Sequence, residues 1–395
     1  MKIGILTFLH ANNYGAELQC FALQQKLRNL GYIATVLDVY RPQNKEFVVS
    51  NNFKPLYQFT ANKDLISSAK SKLYRFLSKF ISLTYRRKVL IERIKKFDNF
   101  HNLFTSLSTE KYYNFDQLYE KSKYFDYTHY IVGSDQVWNY TNDFSTEPYF
   151  LTFVNKGKKT SYAASIGHSE LPLEIISLYS KWLNDFDSIS VREEQGVKLL
   201  SQITNHPVNH VLDPTLLFTK NEWLKNLNIN NDSISSDVVY NNNKYILMYL
   251  LSRSEYSIDL AKYIANELKL KVVLIVSDVF SLHFDNSIIK VYNAGPIEFV
   301  ELFSSASFVI TNSFHGTAFS VNFNIPFFTT TRKDKRVNSR FISLLSKLGL
   351  ISRLIYEKDD YPTKFHCDFK NANIILDNER NNSIQFLINS LKNNL

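Results

Sequence analysis

"KIGILTFLHANNYGAELQCFALQQKLRNLGYIATVLDV" runs from Lys2 to Val39 and decides the fold. Lys2 to Phe8 is a short apolar run of the kind a buried strand requires. From Tyr14 the period changes. Leu18, Phe21, Ala22, Gln25, Leu27 and Leu30 keep a mostly apolar helical stripe, and Gly31 stands where a helix carboxyl end favours glycine. Ile33 to Val39 is then a second strand. Strand, helix and strand in so short a span make a βαβ unit, which implies a parallel sheet.

The same alternation continues outward. Strand patterns end near Gly133, Gly167, Arg192 and Asp213, with helical patterns in "PLEIISLYSKWLNDF" and "EEQGVKLLSQI" between them. It restarts at "KYILMYLL", followed by "YSIDLAKYIANELKL", "KVVLIVS", "GPIEFVELFSSA" and "SFVITNS". The reading is α/β, in two halves: residues 1–228, with a basic helical insertion over 65–100, and residues 245–395. Residues 229–244, polar and rich in Asn and Ser, are the expected linker or exposed loop. A chain of 395 residues exceeds one ordinary core, so two domains also fit its length.

Composition excludes several classes. The chain is 45% hydrophobic with 31 Phe and 24 Tyr, so it has ample apolar surface to bury. Cys20 and Cys367 give neither a disulfide framework nor metal spacing, which fits a reducing compartment. His10, His168 and His283 are scattered, and no metal is expected. The start lacks a secretory apolar region, and no run is long enough to span a bilayer. The expectation is a cytoplasmic protein.

Ligands of open parallel sheets bind at the carboxyl ends of the strands. Six stretches fall there: His10 to Ala16, Gly133 to Asn139, Ser165 to His168, Arg192 to Glu194, Asp213 to Thr215, and Asn312 to Thr317. The first has small residues and side-chain amides but no G-x-G-x-x-G and no Walker lysine, so neither a nicotinamide nor an ATP site is supported.

The blocks "NNYGAELQCFALQQKLRNLGY", "YIVGSDQVWN", "SYAASIG", "SISVREEQG", "HVLDPTLLF" and "ITNSFHGTAFS" resemble the polysaccharide pyruvyl transferase family, in order, from about residue 3 to about residue 330. The resemblance implies a GT-B-like fold, with two Rossmann-like domains facing a central cleft. It implies transfer of a pyruvyl group from phosphoenolpyruvate to two hydroxyls of one sugar, giving a cyclic ketal and phosphate. Phosphoenolpyruvate is then a co-substrate and no further cofactor is needed. The acceptor is a sugar or a lipid-linked oligosaccharide.

The family's histidine in the last block binds or protonates the donor, and His315 is the matching position. Arg192 matches the family's anion-binding arginine, whose guanidinium holds a carboxylate or phosphate through paired hydrogen bonds. A structural ion pair with Glu193 or Glu194 is the other reading of Arg192. His315-Gly316-Thr317 opens a helix, whose first turn offers unpaired N–H groups to an anion. Gly316 lets a ligand approach the backbone, and Ser313 caps the helix or bonds a phosphate oxygen. Asn312 and Phe314 complete the expected donor side. Many family members carry Arg where this chain has Ser313, two residues before the histidine. Arg332, Lys333, Lys335, Arg336 and Arg340 are the expected substitutes for that charge. On the acceptor side, Asp135 reads as taking sugar hydroxyls and Trp138 as stacking on a sugar ring, with core packing or a cap as the other reading of each; Asn12, Asn13 and Tyr14 read as acceptor contacts or as a plain turn. Asp213-Pro214 reads as a turn. A nucleotide-sugar glycosyltransferase of GT-B type, or a non-catalytic sugar-binding relative, is the alternative, because fold alone does not set function.

From Lys70 to Lys96 the chain holds ten Lys and Arg against the single acid Glu92, which accounts for the whole net charge of +9. Apolar residues alternate with them at near-helical spacing. The two readings are a helix with a solvated charged face and a segment drawn to an anionic membrane surface. No nucleic-acid motif accompanies it.

Overall fold

The computed structural model describes residues 1–39, 88–113, 115–142, 146–229, 244–276, 285–333 and 338–392. The first half is a parallel sheet of β1 (Lys2–Leu6), β2 (Ile33–Val39), β3 (Leu107–Tyr112), β4 (His129–Val132) and β5 (Lys158–Ser161), in the order β3-β2-β1-β4-β5. Parallel bridges Thr160–Ser188 and Ala164–Val191 extend it to the pair β6 (Ile189–Val191) and β7 (Val208–His210). The second half has β8 (Tyr245–Leu250), β9 (Lys271–Val276), β10 (Ile288–Val291), β11 (Phe308–Thr311), β12 (Phe327–Thr331) and β13 (Leu354–Tyr356), in the order β10-β9-β8-β11-β12-β13. Each half therefore reverses its strand order beside its first strand, β1 or β8. That reversal opens a crevice at the strands' carboxyl ends.

The opening βαβ unit has the expected form. Helix α1 (Tyr14–Asn29) begins at Asn13, whose side chain accepts from the N–H groups of Gly15 and Ala16. It ends before Gly31, whose φ of +88° is the left-handed value glycine supplies at low cost. The apolar stripe understates its burial: every residue from Tyr14 to Gln24 is buried. One side covers the first sheet. The other belongs to a cluster that joins Tyr14, Leu18 and Phe21 to Trp223, Tyr249, Phe299 and Phe319.

Two helices tie the halves together. Residues 88–104 form α2. Its Arg93 donates to the carbonyl of Val276 and its Lys96 pairs with Glu298, while Phe100 packs edge-on against Phe21 of α1. Part of the basic window is thus interior. Arg93 is buried, and only Lys88 and Lys95 of the described members are exposed. The expected membrane-facing residues from Lys70 to Arg87, and nearly all of the expected linker 229–244, lie outside the described residues. The last helix, α11 (Lys370–Leu391), runs back to the first half, where Leu387 and Leu391 pack with Ile3, Ile5 and Val36. Among the described residues no helix is long and apolar enough to cross a membrane.

Trp223, on α6 (Lys220–Asn226), sits at the junction. It lies 5.7 Å from Phe21 and 5.2 Å from Phe319 between ring centroids, and its indole N–H donates to Thr215. Trp223→Ala should cost about 3–5 kcal/mol, the range for deleting a fully buried large aromatic. Urea denaturation of both proteins measures it.

Candidate active site

The ends of β4, β6 and β7 meet the start of a helix from the other half at a single buried carboxylate. Asp213 follows β7. Its Oδ1 accepts from the N–H and hydroxyl of Thr215, which makes the turn expected from the sequence. Its Oδ2 accepts from Ser134 Oγ at 2.9 Å and from Arg192 Nη1 at 2.9 Å. The same oxygen lies 3.7 Å from Nε2 of His315, which comes from the other half of the molecule. Asp213 thus makes the turn and also joins the site. An acid placed between a buried strand and a proline was the only sign of its second role.

His315 stands in the first turn of α9 (Phe314–Asn322). Ser313 caps that helix by accepting from the Gly316 N–H. Thr317 donates back to the Ser313 carbonyl and bonds Thr329. The His315 ring is packed against Gly15 of α1: a Cβ at Gly15 would fall 1.9 Å from Nδ1. His315 Nε2 is buried and has no hydrogen-bond partner among the described residues. A ring wedged between the halves, with one nitrogen aimed toward a buried carboxylate, is not merely a cap for its own helix.

Burial alone would raise the Asp213 carboxyl. The nearby His315 imidazole and Arg192 guanidinium outweigh burial and hold it far below the usual carboxylate range. Burial likewise opposes ionisation of Asp135, and Arg192, His315 and Arg340 together pull it down. Both acids are therefore carboxylates at neutral pH.

Arg192 has a different setting from the expected anion clamp. Its side chain is fully buried, and three carboxylates share it: Asp213 at 2.9 Å, Glu193 at 3.0 Å and Asp135 at 3.3 Å. The ring of Phe314 covers its guanidinium at 4.6 Å. Burial would lower its proton affinity, but the three acids raise it well above an ordinary arginine. All three branches of its fork are engaged, so in this structure the guanidinium organises the site from within. The ion-pair reading holds for Glu193. Glu194 instead lies 3.9 Å from Lys347.

The other expected residues divide. Asp135 has a left-handed φ of +74° and lines a cavity of about 220 Å³ with Phe8, Ala11, Asn13, Ala16, Gln136 and Asn142. Asn13 thus both caps α1 and faces the cavity. Asn12, with φ +46°, is exposed in the same loop. Trp138 does not have the expected sugar-stacking position. It is fully buried, stacked on Phe150 at 4.9 Å, and its indole N–H donates to Tyr149. Tyr14 is also interior, stacked on Phe299 with its hydroxyl donating to Ala294. Gly316 serves packing, since a Cβ there would meet Thr311 Oγ1 at 2.3 Å. Asn312 bonds the Leu251 N–H and the Ser252 carbonyl, fixing the end of β8. Of the downstream basic residues, Arg340 is near enough to bias Asp135, Lys333 pairs with Asp359, and Lys335 and Arg336 lie outside the described residues.

The family model for polysaccharide pyruvyl transferase matches residues 13–334, well over half of the chain and inclusive of Asp135, Arg192, Asp213 and His315. No curated protein sequence matches the chain. The structure is similar to UDP-GlcNAc 2-epimerase from Neisseria meningitidis bound to UDP-GlcNAc, with a TM-score of 0.50, 10% identity and 99% of each chain covered. It is also similar to UDP-GlcNAc 2-epimerase from Methanocaldococcus jannaschii, with a TM-score of 0.49 and 12% identity over 95% of this chain and 98% of that one. At such identity the likeness speaks to the fold alone, which is GT-B-like.

Arg192→Leu should cost about 3–5 kcal/mol, because it strands buried carboxylates without their counter-charge. Guanidinium denaturation checks this. The pH dependence follows from Asp213. Its folded-state pKa lies below the unfolded value of about 3.9, so its ionised form stabilises the fold above that value, and the contribution fades as the pH falls below it. Thermal melts from neutral pH down to about pH 3 should therefore show wild type losing more stability than Asp213→Asn.

Proposed function

The chain belongs to the polysaccharide pyruvyl transferase family, and from that premise we propose that it transfers a pyruvyl group from phosphoenolpyruvate to two hydroxyls of a sugar. The products are a cyclic ketal and phosphate. The observation that carries the reading is His315, held at a helix N-terminus and against Gly15, with Nε2 3.7 Å from the ionised Asp213. An imidazole held beside a buried carboxylate suits a group that must pass a proton to carbon.

On this reading His315 protonates the methylene carbon of the enol, and C2 becomes electrophilic. One sugar hydroxyl adds to C2. The second hydroxyl adds as the C2–O bond to phosphate breaks. Asp213 is a positioning residue: it fixes the ring and balances its charge. The first turn of α9 and the charge of Arg340 support an anionic donor, in place of the arginine that Ser313 replaces. The acceptor is a sugar or a lipid-linked oligosaccharide, entering beside Asp135 and Asn13.

The deciding assay supplies phosphoenolpyruvate or nucleotide sugars with sugar acceptors and compares phosphate release with nucleoside diphosphate release. Nucleoside diphosphate release alone would replace this reading with that of a glycosyltransferase. His315→Gln should lower kcat by about 10²–10⁴-fold, while the melting temperature stays near wild type. Gly15→Ala should fall in the same range, because its methyl group takes the space of the imidazole. Turnover by Gly15→Ala equal to wild type would remove the His315 position from the mechanism.

A further inference from the structure

A second histidine–carboxylate pair lies on the opposite half from His315, in the loop after β1 whose neighbouring residues line the Asp135 cavity. His10 follows β1, and its Nε2 is 2.5 Å from Oδ1 of Asp38 on β2. The Asp38 side chain is 1% exposed, whereas the His10 side chain is 18% exposed, so the carboxylate is interior and the ring is partly open. Donation from Nε2–H to Asp38 places the lone pair on Nδ1, which makes the ring a proton acceptor.

Three further observations place it near the chemistry. Phe8, Ala11 and Asn13 of its own loop line the cavity that holds Asp135. Two residues past that loop's last lining residue, Gly15 contacts the His315 ring. His10 itself is held at φ +57°, a left-handed conformation that costs a non-glycine residue of order 1 kcal/mol or more and is retained where the surroundings impose it. Asn12 and Asp135, on the two loops lining the cavity, share that feature. Behind His10, the ring of His101 lies 5.5 Å away and pairs with Glu17 at 3.1 Å, both of them buried. The Asp38–His10 pair is therefore backed by a fixed wall.

We infer that His10, oriented by Asp38, takes the proton from the sugar hydroxyl, opposite His315, which serves the donor. This rests on the pyruvyl-transfer reading. The protons then balance. His315 gives one to the methylene carbon as the first hydroxyl oxygen bonds C2 and passes its proton to His10. The second hydroxyl oxygen bonds C2 and gives its proton to His315, restoring it. The C2–O bond to phosphate breaks, and the leaving phosphate carries away the proton from His10. The methyl carbon gains one hydroxyl proton and phosphate the other.

The test measures phosphate release from phosphoenolpyruvate with p-nitrophenyl glucosides, galactosides and mannosides as acceptors. His10→Asn keeps a side chain that tolerates a left-handed φ, and His10→Gly leaves room for added imidazole. The expected result is a kcat lowered by about 10²–10⁴-fold in both, a KM for phosphoenolpyruvate near wild type, and partial recovery of His10→Gly with imidazole. Release by wild type that His10→Asn retains within about threefold overturns this inference and leaves the role of His315 standing. So does a loss with raised KM and no imidazole recovery, since that marks a structural role. No release by wild type with any acceptor overturns the pyruvyl-transfer reading and this inference together. If His10→Asn fails to fold, Asp38→Asn decides: a lowered kcat at unchanged KM supports the pair, and wild-type kcat overturns it.

Discussion

The structure turns on one guanidinium shared by three carboxylates. Arg192 gathers Asp135 from the end of β4, Asp213 from the end of β7, and its neighbour Glu193, while Phe314 of the other half closes over it. Burying such charges costs several kcal/mol per ion unless each is paired and hydrogen-bonded. Here the pairing is nearly complete. Ser134 and Thr215 bond Asp213, and Ser165 donates to Glu193 at 2.6 Å. The cost of rearranging the network is therefore high. Because Asp213 also faces His315, that rigidity is passed to the ring wedged between the halves.

Helix α1 supplies the other half of the constraint. It is a wall common to both sheets, which is why its polar residues Glu17, Gln19 and Gln24 are buried with the apolar ones. Each such group needs a local partner. Gln24 meets the need by bonding Ala34 and Ser106, and the Gln19 amide nitrogen by donating to Thr7 and Ala16. Close contact also dictates Gly15. Any side chain there would push the imidazole off its line to Asp213. One helix thus sets the spacing of the halves, the seat of His315 and, through the loop before it, the position of His10.

Much of this was legible from local pattern. The alternating strands and helices, the two halves and the strand ends that hold Asp135, Arg192 and His315 are all periodic or punctuated features. What was not legible depends on contacts distant in sequence. Trp138 has the same amphipathic character whether it faces sugar or core, and only Phe150 and Tyr179 across the fold decide that it is core. Arg192 carries no sign of how many acids surround it. The strand β3, "LSTEKY", is a polar edge strand with three exposed residues in a row, so no apolar alternation announces it. The Asp38 partner of His10 is separated from it by a whole helix, and that hid the pair.

Ser313, where the resemblance leads one to expect an arginine, has a definite electrostatic consequence. Ser313 spends its hydroxyl on the Gly316 N–H, which stabilises the helix but adds no charge. Arg192 cannot compensate, because its one positive charge already faces three negative ones. Taken alone, that group carries an excess of two negative charges, which repels an anionic donor. Arg340, whose charge acts on Asp135, offsets part of that excess. On the pyruvyl-transfer reading, an anionic donor then depends on Arg340 and on the first turn of α9, where His315 stands.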